Sequence, residues 1–215
     1  MPLQVNEIFF SIQGESSHAG RPCAFIRLTG CNLRCSYCDT TYAYDEGAWL
    51  EILDIERQIR SFHCGLVEIT GGEPLLQTQT PELIRTLLDR HYTVLLETNG
   101  SREIGVVDER CIRIVDVKCP SSGESEKNRL ENFDIITPND EVKFVIGNRE
   151  DFEYANSFIS THLPRRNGLK PPLISPVFGR MTPEILAQWI LEDHLDARLH
   201  IQLHKWIWGA EKRGV

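Results

Sequence analysis

The chain has 215 residues, a length that predicts one domain over 1–215 and leaves too little for a second full catalytic domain. Hydrophobic residues make up 41%, enough to bury a core without disulfides. Lysine and arginine total 23 against 31 acidic residues, a net charge of −8 that argues against nucleic acid as partner; no membrane partner is expected either. The basic pair Arg165 and Arg166 falls in a loop-like stretch, and no phosphate-tracking stripe is visible.

Met1 to Glu7 lacks a positive region followed by an apolar run, so it does not read as a secretory signal. No window approaches the roughly 18 uninterrupted apolar residues of a membrane span. Both readings predict a cytoplasmic protein. In that reducing setting seven cysteines, an odd number, read as thiols or metal ligands rather than a disulfide framework.

Short β-rich apolar runs follow in order: Ala24 to Leu28, Leu66 to Thr70, Thr93 to Leu96, Ile112 to Val117, Glu141 to Ile146, Pro172 to Ser175 and Leu199 to Leu203. Between two of them, Leu83, Ile84, Leu87 and Leu88 form one apolar helix face that starts at Thr80-Pro81-Glu82. Thr182-Pro183-Glu184 repeats the device ahead of Ile185, Leu186, Trp189 and Ile190. Alternating strands and helices predict a parallel sheet with right-handed crossovers. Six or seven strands suit an α/β incomplete TIM-like barrel with outer helices, and an open doubly wound sheet has the same pattern. Pro120 to Asn132 and Thr161 to Pro172 break the alternation and read as surface excursions.

Immediately after the first run stands Gly30-Cys31-Asn32-Leu33-Arg34-Cys35-Ser36-Tyr37-Cys38-Asp39-Thr40, a C-x3-C-x2-C loop. Three thiols so close in sequence can wrap an iron–sulfur cubane and leave one iron open for a substrate or cofactor. A structural zinc completed by Cys23 or His18, or a set of redox thiols, is the alternative. Cys23, Cys64, Cys111 and Cys119 lack paired spacing and read as small buried hydrophobes.

This loop, with Tyr37 ahead of the third cysteine, resembles the radical S-adenosylmethionine (SAM) superfamily. The resemblance implies a [4Fe–4S] cluster on Cys31, Cys35 and Cys38, and SAM held by Tyr37, Cys38 and Asp39. Thr70-Gly71-Gly72-Glu73-Pro74 resembles the segment that holds the amino end of SAM, with Gly71 and Gly72 allowing close approach and Glu73 accepting. Glu97 to Gly100, Asp116-Val117-Lys118 and Ser175-Pro176-Val177 fall at equivalent strand ends and are expected to line the same pocket.

Glu7 to Glu15, Phe25-Ile26-Arg27, Cys38-Asp39-Thr40 and the closing Gln202-Leu203-His204-Lys205 resemble the 7-carboxy-7-deazaguanine synthase family of queuosine biosynthesis, the tRNA modification pathway. The implied reaction is that of a carbon–nitrogen lyase: 6-carboxy-5,6,7,8-tetrahydropterin becomes 7-carboxy-7-deazaguanine with loss of ammonia. By resemblance Thr40 would meet Mg2+, and Ile12, Gln13, Gly14, Glu15, Arg27, Thr70 and His204 would meet the pterin. Read alone, Thr40 is also a helix cap and His204 also a packing residue in a C-terminal strand. Trp206 and Trp208, two apart, have strand spacing and suit a dimer surface or the pocket mouth. The family resemblance implies a homodimer and a one-electron donor such as a flavodoxin. Ser16 replaces a glycine common in the family, and the extension 204–215 ends in Gly214-Val215, which counts against a contact by Val215. A glycyl-radical-activating enzyme and a zinc-stabilised binding module are the competing functions.

Overall fold

The computed structural model describes residues 1–163 and 168–215; Arg165 and Arg166 lie outside the described residues. One sheet contains nine strands: β1 (Leu3–Ile12), β2 (Pro22–Leu28), β3 (Ala48–Leu50), β4 (Leu66–Gly71), β5 (Thr93–Thr98), β6 (Ile112–Val117), β7 (Glu141–Ile146), β8 (Leu173–Pro176) and β9 (Arg198–Leu199). Their spatial order is β3-β1-β2-β4-β5-β6-β7-β8-β9. From β2 to β9 every neighbour is parallel and the order follows the sequence. A doubly wound sheet reverses its order at a switch point, and this one never does. The fold is therefore an incomplete TIM-like barrel: six parallel strands, the two-residue β9, and an antiparallel pair at the other edge.

The α-helices are α1 (Ile52–Ser61), α2 (Thr80–Asp89), α3 (Arg149–His162), α4 (Pro183–Glu192) and α5 (Leu203–Trp208). One strand face buries Ile26, Leu28, Val67, Ile69, Val94 and Leu96 against Ile55 and Ile59 of α1 and Leu83, Ile84 and Leu87 of α2. Further along, Val115, Phe144, Ile146 and Ile174 meet Phe152, Phe158 and Leu186. The opposite face closes at the strand starts with Cys23, Phe25, Leu66, Leu95 and Ile114. Above that plug the inward residues turn polar, and the site begins there.

Several expectations change. The antiparallel β1 pairs with β2 through Phe9↔Phe25 and Ser11↔Cys23; its interior Asn6 and Glu7 hide the strand pattern in the sequence. The run Leu199 to Leu203 is strand only as far as Leu199, and α5 takes over at Leu203. His204, Trp206 and Trp208 are thus helical, so the tryptophans do not share a strand face. At α2 the N-cap position is Gln79, and Thr80 instead donates its hydroxyl to Pro74 O at 2.6 Å. Thr182 does cap α4, accepting from Ile185 N, but Ile185 itself is exposed. The β5–β6 and β6–β7 crossovers carry short 3-10 turns in place of α-helices. In the second of these, Ser122 and Asn132 are each 1% exposed, so 120–132 is not mere surface. Cys23, Cys111 and Cys119 are fully buried, while Cys64 is half-buried.

Candidate active site

At the carboxyl ends of the strands opens a cavity of about 820 Å³. Side chains alternate across a strand, so residues two apart share its inner face. Phe25 and Arg27 of β2, Glu68 and Thr70 of β4, Glu97 of β5, Asp116 of β6, and Lys143 and Val145 of β7 all line the wall.

The cysteine loop forms one end, with Cys31, Cys35 and Cys38 facing the same space. Buried Leu33 anchors it, and the 120–132 segment clamps it from outside. Ser36 N donates to Ser122 O at 3.0 Å, Ser36 Oγ to Ser121 O at 2.7 Å, and Arg34 N to Glu124 Oε1 at 2.6 Å. Arg180 Nη2 adds a bond to Ser36 O at 3.0 Å. Gly72 passes so close that a Cβ there would sit 2.2 Å from Gly30 O and 2.6 Å from Cys31 Cβ. Burial pushes the Cys35 thiol up to about 11 and Cys31 in the same direction, with the Lys118 ammonium pulling Cys35 back. Ionising these thiols for metal binding is therefore work left to the metal.

The middle of the cavity is a charge cluster around Lys143, whose side chain is 6% exposed. Its ammonium lies 2.7 Å from Glu15 Oε2, 2.6 Å from Glu97 Oε1 and 3.6 Å from Asp116 Oδ2. One cation cannot neutralise three carboxylates. Asp116 also has Lys118 at 3.0 Å. Burial raises Glu15, but Lys143, His204 and His200 outweigh it and hold that carboxyl well below its usual value. For Glu97 burial and the neighbouring acids prevail over Lys143, and its value rises well above normal. Burial and the neighbouring charges thus push Glu15 and Glu97, the two acids closest to Lys143, in opposite directions.

The far end joins the two chain ends. Leu203 N donates to Gly14 O at 2.9 Å, and Gln202 Nε2 to Glu15 Oε1 at 2.8 Å. The His204 ring fills the space beside Gly14, where a Cβ would stand 2.1 Å from Nδ1. Lys205 pairs with Asp39. Residues 210–215 then return over the cavity, with the Arg213 guanidinium 3.7 Å from the Tyr42 ring centroid.

Comparison with known proteins now has a geometry to meet. The Radical SAM superfamily pattern matches residues 25–155. A 7-carboxy-7-deazaguanine synthase of Chlorobaculum tepidum is 46% identical over 217 residues, covering 100% of this chain and 98% of that protein. One of Koribacter versatilis is 44% identical, covering 99% and 100%. The chain belongs to the 7-carboxy-7-deazaguanine synthase family. The crystal structure of QueE from Escherichia coli has the same fold, with a TM-score of 0.73 at 21% identity and 95% of each chain covered.

As a radical SAM enzyme of this family the chain uses a [4Fe–4S] cluster, SAM and Mg2+, and acts on a small molecule. The residues present fit these groups. The three thiols share one open cavity, and Cys23 and His18, the residues proposed to complete a zinc site, lie elsewhere. Cys23 is in the plug at the strand starts, and His18 is in the turn that pairs it with Arg21. Among the described residues no three His, Cys, Asp or Glu side chains close on a single ion. Among the described residues Asp116 Oδ1 is buried without a partner, and Gly71 and Gly72 leave a cradle that a Cβ would fill. They supply one unmet acceptor and open space where SAM is expected. Thr40 offers Mg2+ a hydroxyl, which now donates to Asp39 Oδ1 at 3.0 Å; it makes no helix-capping bond.

All seven residues expected to meet the pterin line the cavity: Ile12, Gln13, Gly14, Glu15, Arg27, Thr70 and His204. Tyr37, Cys38, Asp39, Gly71, Gly72, Asp116, Lys118 and Val177 of the SAM set do so as well. Glu73, Val117, Ser175 and Pro176 stand behind the wall. Glu73 is 0% exposed and both its oxygens are taken, by Leu75 N, Asn99 N and the Thr98 hydroxyl. It therefore ties the β4 and β5 ends together instead of presenting an acceptor. Arg27 commits Nε to Glu7 Oε1 at 2.7 Å, so only its terminal nitrogens remain for a carboxylate. Val215, expected outside the site, lines it, because the tail folds back. Sequence reasoning missed Glu68 and Lys143. The signal for both was a charged residue inside an otherwise apolar strand run.

Proposed function

We propose that the chain converts 6-carboxy-5,6,7,8-tetrahydropterin to 7-carboxy-7-deazaguanine with release of ammonia, regenerating SAM in each turnover. The observation that carries this reading is a single cavity with three cysteines at one end and a wall of amide, carboxyl and guanidinium groups at the other. When bound, the cluster and SAM would supply the one-electron radical chemistry that the ring rearrangement requires.

The protein's part is to hold and orient. In this reading Cys31, Cys35 and Cys38 ligate the cluster, Thr40 meets Mg2+, and Gly71, Gly72, Asp116, Lys118 and Val177 receive SAM. Arg27 turns its terminal nitrogens to the pterin carboxylate. Gln13, Glu15, Thr70 and His204 surround the ring, while Gln202 fixes the Glu15 carboxylate in place. Glu97, whose carboxyl burial and neighbouring acids shift toward the neutral form, accepts from Lys143 within the cavity where an amine must leave. The single continuous sheet supports one domain over 1–215. Among the described residues no helix is long and apolar enough to cross a membrane, in keeping with a cytoplasmic enzyme. A flavodoxin-like electron donor and a homodimer complete the proposal; exposed Trp206, Ile207 and Trp208 offer an apolar surface for the latter.

The test is anaerobic incubation of reduced protein with SAM, Mg2+ and the carboxypterin, read by mass spectrometry. The expected product is the deazapurine acid without net SAM loss. SAM cleavage without that product would assign the site to another substrate.

A further inference from the structure

Glu68 lies on β4 two residues below Thr70, is 7% exposed, and belongs to the cavity wall. Gln13 Nε2 donates to its Oε2, and the Gln13 carboxamide is itself oriented, since its Oε1 accepts from Glu15 N at 2.9 Å. Glu68 Oε1 has no protein donor among the described residues.

Its electrostatic situation sets it apart. Glu15, Glu97 and Asp116 all reach Lys143, and Asp39 pairs with Lys205. Among the described residues Glu68 pairs with no cation; Lys143 and Arg27 lower its carboxyl only as nearby charges, Lys143 being in contact with Glu15 and Glu97 and Arg27 Nε with Glu7. Burial first, then the Glu15 charge, pushes the Glu68 carboxyl up to about 7. An acceptor open to the cavity at the mouth of an otherwise buried carboxyl is available to donors that a ligand brings. Level with it on the neighbouring strand, Phe25 stacks on Phe9 with centroids 4.8 Å apart, and both rings line the same cavity, an apolar surface beside the carboxyl on which a flat heterocycle can lie.

We propose that Glu68 is a specificity-determining residue: its free Oε1 accepts the amino and ring N–H donors of a 2-amino-4-oxopyrimidine edge. The inference deepens the pterin reading above and rests on it. A neutral Glu68→Gln carboxamide would keep its oxygen toward Gln13 Nε2 and turn its NH2 toward the ligand, setting donor against donor. A site built to hydrogen-bond a ligand N–H discriminates strongly against the analogue that lacks it.

The experiment measures binding of 7-carboxy-7-deazaguanine and of its 2-desamino analogue to the cluster-loaded, SAM-bound protein. Wild type is expected to prefer the amino compound at least ~tenfold. In Glu68→Gln the preference should fall to about onefold, with iron content and SAM affinity retained, and Glu68→Asp should restore part of it. A merely structural role would weaken both ligands alike. Equal wild-type affinity for the two compounds overturns the proposal without any variant, as does a Glu68→Gln protein that keeps the preference. If wild type binds SAM but neither heterocycle, the pterin reading itself falls and takes the proposal with it.

Discussion

Replacing Lys143 with Met tests the charge arrangement at the centre of the site. Methionine fills much of the same space, but removes the ammonium that lies 2.7 Å from Glu15 and 2.6 Å from Glu97. Breaking a buried pair by deleting one partner costs ~3–5 kcal/mol, because it strands charge in a poorly solvating place. The stranded carboxyls have an escape, which is to take up protons, and this gives the penalty a pH dependence. Burial and neighbouring acids already hold Glu97 high in the native protein, and without Lys143 the Glu15 carboxyl loses its principal counter-charge as well. A folded state that keeps a proton which the unfolded chain releases loses stability as pH rises, by ~1.4 kcal/mol per unit per proton. Lys143 contributes no such slope below its ordinary value, because it is charged in both states there; its raised folded value stabilises below that point and is lost only in strong alkali. The stability deficit of Lys143→Met should therefore widen from pH 6 to pH 8, by up to ~3 kcal/mol for one proton held throughout. Denaturant midpoints of both proteins at the two pH values measure it. A deficit under ~1 kcal/mol at pH 8, or one that does not change with pH, would refute the reasoning.

Two further predictions concern the cluster end. Gly72→Ala places a Cβ 2.2 Å from Gly30 O, a backbone atom that cannot swing aside, so the cysteine loop must shift. Iron incorporation should fall severalfold while the far-ultraviolet circular dichroism stays the same, and full iron loading would show that the close approach is slack. Cys35→Ala removes one of the three thiols facing the cavity; reconstituted protein should lose the brown chromophore and SAM cleavage together, and undiminished cleavage would exclude Cys35 as a ligand.

Much of the site is legible in the sequence because its parts are contiguous. The cysteine loop, Thr70 to Pro74 and Gln202 to Lys205 are short segments whose spacing alone marks them. Legibility ends where one residue has to be placed by its neighbours. Glu68 sits in Leu66–Gly71, where local β propensity fixes the strand but says nothing of what fills the barrel above it. Lys143 makes sense only once β5, β6 and β7 lie side by side and bring Glu97 and Asp116 across from it. Glu73 shows the converse. Its motif predicts an acceptor for a ligand, but the carboxylate already accepts from Leu75 N, Asn99 N and the Thr98 hydroxyl, partners that come from its own turn and from the end of β5.

The 120–132 segment links these two kinds of information. Without an α-helix to fill the β6–β7 crossover, the chain spends those residues on 3-10 turns whose backbone oxygens reach Ser36. Its polar composition suggests solvent in the sequence, yet polarity is also what a loop of exposed backbone donors needs from a neighbour. Asp151, at 0% exposure in α3, holds this segment in turn, accepting from Ser121 N at 2.8 Å and from Gly147 N at 2.7 Å. The cysteine loop is thus tied through 120–132 to the end of β7, the strand that carries Lys143. Cluster end and charge cluster share one support, so the spacing between them is set by the sheet and not by the loop.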